Sequence, residues 1–390
     1  MKQFAKRLSI STAGILAVIF ALAPSAYAAV SITEFPATTP GSQPWGIAKG
    51  FDGKMWFTED AANNIARITP SGIVTEFPIP TPNSGATGIT AGPDGNLWFV
   101  EENTDTVGKI TSSGTVTEFP GAGTNPFEIT TGADGNLWYA VNAYTNLANS
   151  RIGRITPGGA ITLFAIPTPS SGPSSIATGN DGNVWFTEAT NKIGKITPAG
   201  FVTEYTVPTP SSNLAGIAPG SDGNVWFTEG ATAKIGKITP AGVITEFNMP
   251  GGRNANFMGK GPDGNVWFTE STANKVGFIT SKGVISEFDI PTQTSNPLAI
   301  TAGYNGRMWF AEQNTSQVGE VSGLTIPKSS TNSNSTVGDP DTGYGSPNRS
   351  NPIAWILISA STITLLAGFV VALKQKSRFR RPVDGPPDPV

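Results

Sequence analysis

The chain of 390 residues has no cysteine and no histidine. Without cysteine there is no disulfide framework, thiolate zinc site or thiol nucleophile. Without histidine the commonest general base and a leading metal ligand are missing. Charge is scarce as well. Asp, Glu, Lys and Arg make up 14% of the chain, against roughly 25% in ordinary globular domains. Residues 29–351 hold 17 basic and 26 acidic side chains, a net of −9. A domain that grips nucleic acid carries the opposite sign, so no nucleic-acid partner is expected. Glycine (46) and proline (32) are abundant instead. That composition favours many turns and few long helices.

The two ends read as envelope signals. Lys2, Lys6 and Arg7 precede a short apolar run, and Ala26-Tyr27-Ala28 fits the small-x-small cleavage rule. Residues 1–28 are therefore predicted to be a signal peptide, with Ala29 starting the mature chain. An uncleaved anchor is the alternative. Residues 352–373 (PIAWILISASTITLLAGFVVAL) form 22 uncharged positions, long enough for a transmembrane helix. Lys374, Lys376, Arg378, Arg380 and Arg381 follow. By the positive-inside rule residues 374–390 are a cytoplasmic tail and the bulk of the chain lies outside. Residues 328–351 are rich in Ser, Thr, Asn, Gly and Pro, and read as a disordered stalk. Within it, Asp339-Pro340-Asp341-Thr342-Gly343 resembles the sortase sorting motif Leu-Pro-x-Thr-Gly, with Asp in place of Leu. Sortase-like attachment to the cell wall and a plain stalk above a permanent membrane anchor both remain open.

Between the ends one unit recurs. "DGNVWFTE" stands at 181–188, 222–229 and 263–270. Aligning on its tryptophan gives Trp56, Trp98, Trp138, Trp185, Trp226, Trp267 and Trp309, spaced 40 to 47 residues apart. In the fourth copy Asp181-Gly182 is a tight-turn pair. Residues 183–188 read as a strand with Val184 and Phe186 on one face and Trp185 and Thr187 on the other. Residues 193–197 and 201–207 read as two further strands, and Pro208 and Pro210 suit an outer edge. Four short strands per unit, apolar on both faces, predict a blade, and seven blades predict an all-β, seven-bladed β-propeller over residues 29–327. A solenoid or paired sandwiches are the alternatives; a sandwich strand keeps one wet face. The last unit lacks a good fourth strand, while "SITEFP" at 31–36 matches the fourth strand of the others. The N-terminal strand is predicted to complete the last blade through residues 32–35, closing the ring and removing its open edges.

The full repeat, "PxGIxxGxDGNxWFTExxxNKIGKITPxGxITEFxIPTP", resembles the virginiamycin B lyase (streptogramin lyase) family over about residues 30–325. The resemblance implies a seven-bladed propeller closed by a borrowed strand. It also implies an enzyme that linearises streptogramin B antibiotics by elimination across a lactone ester, with Mg²⁺ and a histidine general base. The family's histidines occupy a Pro-His-small-Ile slot opening the innermost strand of the last two blades. Here the seven slots hold Trp45, Thr87, Phe127, Ser174, Ala215, Asn256 and Leu298. The two decisive ones, Asn256 and Leu298, carry no basic group. The acidic position before the last histidine is Asn296, and the catalytic glutamate falls at Glu312.

Two sets of candidates follow. The repeated glutamate (Glu59, Glu101, Glu188, Glu229, Glu270, Glu312; Val141 in the third blade) either holds a cation or braces the repeat. Repetition favours the brace, with Glu312 the one copy kept as a catalytic candidate. The slot residues vary from blade to blade. Trp45 and Phe127 offer stacking surfaces, Thr87, Ser174 and Asn256 offer hydrogen bonds, and Leu298 is a further binding candidate; a plug in the channel is the alternative. Tyr144 and Asn146, in the longer third-blade loop, are candidate partner contacts or parts of a plain loop. The favoured reading is a monomeric, cell-surface binding propeller for a glycan, peptide or cyclic ester. The alternative is a Mg²⁺-dependent lyase acting on a lactone or ester.

Overall fold

The structure, a computed structural model, describes residues 30–142 and 149–324. The predicted signal peptide, stalk, transmembrane helix and tail lie outside the described residues, as do Tyr144 and Asn146. Among the described residues no helix is long and apolar enough to cross a membrane. Twenty-eight strands, from β1 (Ser31–Pro36) to β28 (Gln317–Ser322), form seven four-stranded antiparallel sheets.

The fourth blade shows how the repeat builds a sheet. β14 (Pro173–Thr178), β15 (Val184–Glu188), β16 (Lys192–Ile196) and β17 (Val202–Thr206) lie side by side in chain order. All of β15 is buried because both its faces meet another blade. Val184 and Phe186 pack with Trp138 of the preceding blade, while Trp185 packs with Leu214, Ile217 and Phe227 of the next. Each such large side chain contributes about 1.5–3 kcal/mol through burial. The glycine of Ile-Gly-Lys-Ile is needed where the Phe186 ring lies on Gly194: a Cβ there would stand 2.1 Å from the ring. β17 has only half-buried and exposed residues, as an outer strand should.

The repeated Trp, Asp and fourth-strand aromatic form one assembly. Trp185 Nε1 donates to Asp181 at 3.1 Å, and the Asn183 amide donates to the same carboxylate. The Trp185 ring stacks on Tyr205 at 5.8 Å, with Lys195 5.0 Å above the indole. The Asp-Gly pair therefore turns the chain and also satisfies the indole N–H, which would be costly to bury unpaired.

The N-terminal strand closes the ring as expected. The seventh sheet runs β1, β28, β27 (Met308–Glu312) and β26 (Pro297–Ala302). β1 pairs antiparallel with β28 from Ser31↔Ser322 to Pro36↔Gln317, one residue beyond the predicted segment at each end. Phe35 stacks on Trp309 at 5.5 Å.

Candidate functional site

The slot residues lie at the start of the innermost strands, where the chain enters each blade. Six of these strands, including β2 (Pro44–Lys49), β6 (Ala86–Ala91) and β10 (Pro126–Thr131), have a register shift at that point. A bulge of this kind takes the slot residue out of the regular ladder and re-aims it. In the sixth blade β22 (Met258–Lys260) is shorter, and Asn256 precedes it.

All seven slot side chains are buried, from 0% to 7% exposed. Trp45 and Phe127 meet edge to face with centroids 6.2 Å apart, and both share one apolar cluster with Leu298 and Phe257. The polar slots are satisfied internally. Thr87 Oγ1 donates to the Phe127 carbonyl at 2.7 Å. Ser174 and Thr187 share a hydroxyl hydrogen bond of 2.9 Å. Asn256 Nδ2 donates to Ser271 Oγ at 2.9 Å, and Ser271 donates to the Pro297 carbonyl at 2.7 Å. The structure thus brings Trp45, Phe127 and Leu298 together as an apolar packing and ties Thr87, Ser174 and Asn256 to neighbouring strands.

The six repeated glutamates are all fully buried. Each sits near a second glutamate on the outer strand, which the sequence reading missed. Its signal is the recurring Thr-Glu-Phe or Thr-Glu-Tyr of that strand, Ser-Glu-Phe in the sixth blade. The outer carboxylate grips a threonine on the incoming connector. Glu204 accepts from Thr168 N at 3.1 Å and Oγ1 at 2.8 Å; Glu76, Glu118, Glu246 and Glu34 do the same for Thr39, Thr81, Thr209 and Thr292. Burial, reinforced by the neighbouring outer charge, pushes Glu59, Glu101 and Glu270 up to about 7 and Glu188 and Glu312 up to about 8. Glu204 goes the other way. Its partial burial is outweighed by hydrogen bonds from Thr168 and Lys192, and its carboxyl is held below the usual range. In the fourth blade the inner Glu188 therefore keeps its proton to a higher pH than the outer Glu204. Glu312, beside Glu34, has the same environment as the other copies and nothing that singles it out.

The Mg²⁺ that the family resemblance implies does not fit the residues present. Leu298 offers no donor. Asn256 and Asn296 each offer only a neutral amide oxygen, with Nδ2 turned to Ser271 and Gln313. Glu312 is held neutral by burial. Among the described residues no three acidic side chains converge to hold a metal ion.

One carboxyl was not foreseen. Glu128 follows Phe127 on β10, where the other blades carry Gly46, Gly88, Ser175, Gly216, Phe257 and Ala299. It is fully buried, neither carboxyl oxygen has a hydrogen-bond partner among the described residues, and burial pushes it well above the ordinary glutamate value. Its breach of the small-or-apolar pattern was the available signal.

The sequence pattern of the virginiamycin B lyase family matches residues 26–190 and 120–326. Among solved structures, selenomethionine-substituted virginiamycin B lyase from Staphylococcus aureus is 36% identical, with a TM-score of 0.70 over 75% of this chain and 99% of that one. A streptogramin B lyase is 35% identical, with the same TM-score over 77% of this chain and 99% of the other. A catalytically inactive histidine-to-alanine variant of the S. aureus enzyme, solved with quinupristin, is also 35% identical, with a TM-score of 0.70 over 75% and 99%. No curated protein sequence matches the chain. Those relatives are covered almost end to end by the ring, so the propeller is a complete fold without the segments that flank it here. Repeat, ring closure and match agree: the chain belongs to the virginiamycin B lyase family.

Proposed function

We propose that this protein is an extracellular recognition propeller, held to the cell envelope through its C-terminal segment, and not an active streptogramin lyase. One observation carries the proposal. At the two slots where the family resemblance puts histidines stand Asn256, tied to Ser271, and Leu298, packed in the apolar cluster of Trp45 and Phe127. Abstraction of a proton needs a base of suitable pKa within hydrogen-bond reach. Neither residue is one.

The test uses purified residues 29–327. Incubated with quinupristin and Mg²⁺, this ring is expected to leave the lactone closed. Elimination adds no water, so opening must be read by chromatographic retention and olefinic proton resonances; mass alone would miss it. On glycan and cell-wall peptide arrays the same ring is expected to bind. Ring opening that disappears on Glu312→Gln would sink the proposal, as would failure to bind any array component.

A second reading, residual elimination chemistry, is favoured by Glu128. A carboxyl whose pKa burial raises can exchange a proton nearer neutrality, where histidine normally works. On that reading quinupristin is opened by the parent ring and spared by Glu128→Gln, while Glu312→Gln retains activity.

A further inference from the structure

Six tryptophans of the repeat share one arrangement. Nε1 of Trp56, Trp98, Trp138, Trp185, Trp226 and Trp267 donates to the aspartate four residues earlier, at 2.9–3.2 Å. Trp309 breaks the rule. Four residues before it stands Asn305, whose φ of 56° is left-handed, whereas none of the six aspartates has a positive φ. Asparagine tolerates that conformation, and Asn305-Gly306, with both φ positive, makes a turn of a different type. Asn305 is exposed, and neither it nor Trp309 Nε1 has a hydrogen-bond partner among the described residues.

The surrounding charges are exchanged too. In the first five blades a lysine or arginine of the third strand lies over the tryptophan. In the seventh, that position is Glu320, directly opposite Trp309. The cation is instead Arg307, on the turn, where the second to sixth blades carry asparagine. Arg307 Nη1 donates to both oxygens of Glu320, at 2.8 and 2.7 Å. Its Nε and Nη2 make no hydrogen bond among the described residues, and 40% of its side chain is exposed.

A small, open cleft lies at this point, between the seventh and first blades; it encloses only about 10 Å³, room for one or two atoms of a ligand, and the rest opens to solvent. Trp309, Arg307 and Glu320 line one side, Met55, Ile68 and Pro70 the other. Tyr304 fixes its wall: its hydroxyl donates to the Gly50 carbonyl and accepts from Gly53 N at 3.1 Å, and Lys49 lies 4.2 Å over its ring. The pocket sits at the turn end of the blades, opposite the slot residues, and does not depend on what the slot end does.

We propose that this pocket binds a carboxylate, seated where the aspartate carboxylate sits in six other blades. One ligand oxygen accepts from Trp309 Nε1 and the other from the free Nη2 or Nε of Arg307. A guanidinium with unused donors favours the planar, charged acceptor over a neutral amide. Glu320 offsets the charge of Arg307, so the lining is net neutral and the carboxylate is held by the unused N–H donors, an arrangement that does not favour a second negative charge. Of the apolar residues at the cleft, Pro70 is exposed and lies ready for the carbon chain behind the carboxylate, while Met55 and Ile68 are buried beneath it. A free peptide C-terminus and a uronic acid both present this chemistry.

The test follows the indole N–H resonances of ¹⁵N-labelled residues 29–327, with the Trp309 peak assigned through Trp309→Phe. The probes are N-acetylglycine, glucuronate and the neutral N-acetylglycinamide. N-acetylglycine or glucuronate is expected to move the Trp309 peak and leave the other indoles in place, and the stronger acid identifies the source. The amide is expected to move none. Asn305→Asp restores the aspartate of the other blades; it is expected to shift the Trp309 peak by itself and to weaken acid binding by about tenfold or more. Arg307→Gln keeps a donor for Glu320 and is expected to weaken binding to a similar degree. The proposal is overturned if neither acid moves the Trp309 peak, if the amide moves it equally, or if both variants bind as the parent does.

Discussion

The third and fourth blades have the same four strands but different interiors at one place. In the fourth, Glu188 faces Glu204, which grips Thr168 and forms an ion pair with Lys192 at 3.3 Å. In the third, the inner position is Val141 and the outer is Leu163. The connector is shorter as well: six residues lie between Phe119 and Pro126, where eight lie between Phe77 and Ala86. Gly123 lies on Val141 and Leu163; a Cβ there would come within 2.9 Å of Val141 and 3.5 Å of Leu163. Both glutamates and the connector threonine are thus missing together. The comparison teaches that the acid pair and the connector group it grips act as one bracing unit, a threonine in five blades and Arg253, 2.6 Å from Glu287, in the sixth. Replacing both members of a buried polar pair with apolar groups costs far less than removing one.

The sharpest way to break that comparison is Val141→Glu. It buries one carboxyl without its partner, and is expected to cost about 3 kcal/mol in urea unfolding. The loss should be larger at alkaline pH, where the acid must hold its proton harder. Adding Leu163→Glu rebuilds the pair and should return about 1 kcal/mol, a coupling that a double-mutant cycle measures directly. Strict additivity would show that the two positions do not cooperate.

The next effect is on pH. The inner glutamates have folded pKa values above the unfolded one, with Glu188 and Glu312 up to about 8 and Glu59, Glu101 and Glu270 up to about 7. Above the ordinary carboxylate value the unfolded chain has released these protons and the fold still holds them. Stability is then fully present in acid and falls as pH rises through about 7 to 8. Glu204 and Glu246, whose folded values are depressed, act oppositely: their contribution is present above the unfolded value and fades as pH falls through the folded one. Melting temperature should therefore peak in mild acid and decline towards alkaline pH. Glu188→Gln should make the decline shallower, whereas an equivalent change in the third blade has no glutamate to remove. A flat profile would show that these acids are not held neutral.

The smallest expected effect is that of Thr168→Val. It removes the hydroxyl that donates to Glu204 and accepts from Lys192 on a half-buried connector, and should cost about 1 kcal/mol. Chemical denaturation of the two proteins side by side checks it.

The ring was legible because its signals are repeated and local. Asp-Gly before Val-Trp-Phe fixes a turn, and apolar groups at both parities of Val184 to Thr187 demand two neighbours. The borrowed strand was legible from the misplaced "SITEFP". The slot end was not. Period-two alternation assigns a side chain to a face, but a bulge re-aims Trp45 and Phe127, and nothing in their spacing says that they meet edge to face. Glu34, Glu204 and their counterparts were overlooked because they sit on an outer strand, where charge looks ordinary; only folding brings them beside the inner acids. Glu128 and the Asn305, Arg307, Glu320 set are departures from the repeat and were open to detection as such. What each departure opens or seals depends on packing between blades.

Closure also has a mechanical meaning. β28 is an interior strand of its sheet, flanked by β27 and by β1. A tether pulling on the chain beyond residue 324 loads β28 first. To peel it away, the pull must tear ladders on both sides. A seventh blade without β1 would offer β28 as a bare edge with one ladder to unzip. The borrowed strand therefore reinforces the point where a load from the C-terminal segment enters the propeller. It does so with the residues that the ribosome makes first among those of the ring.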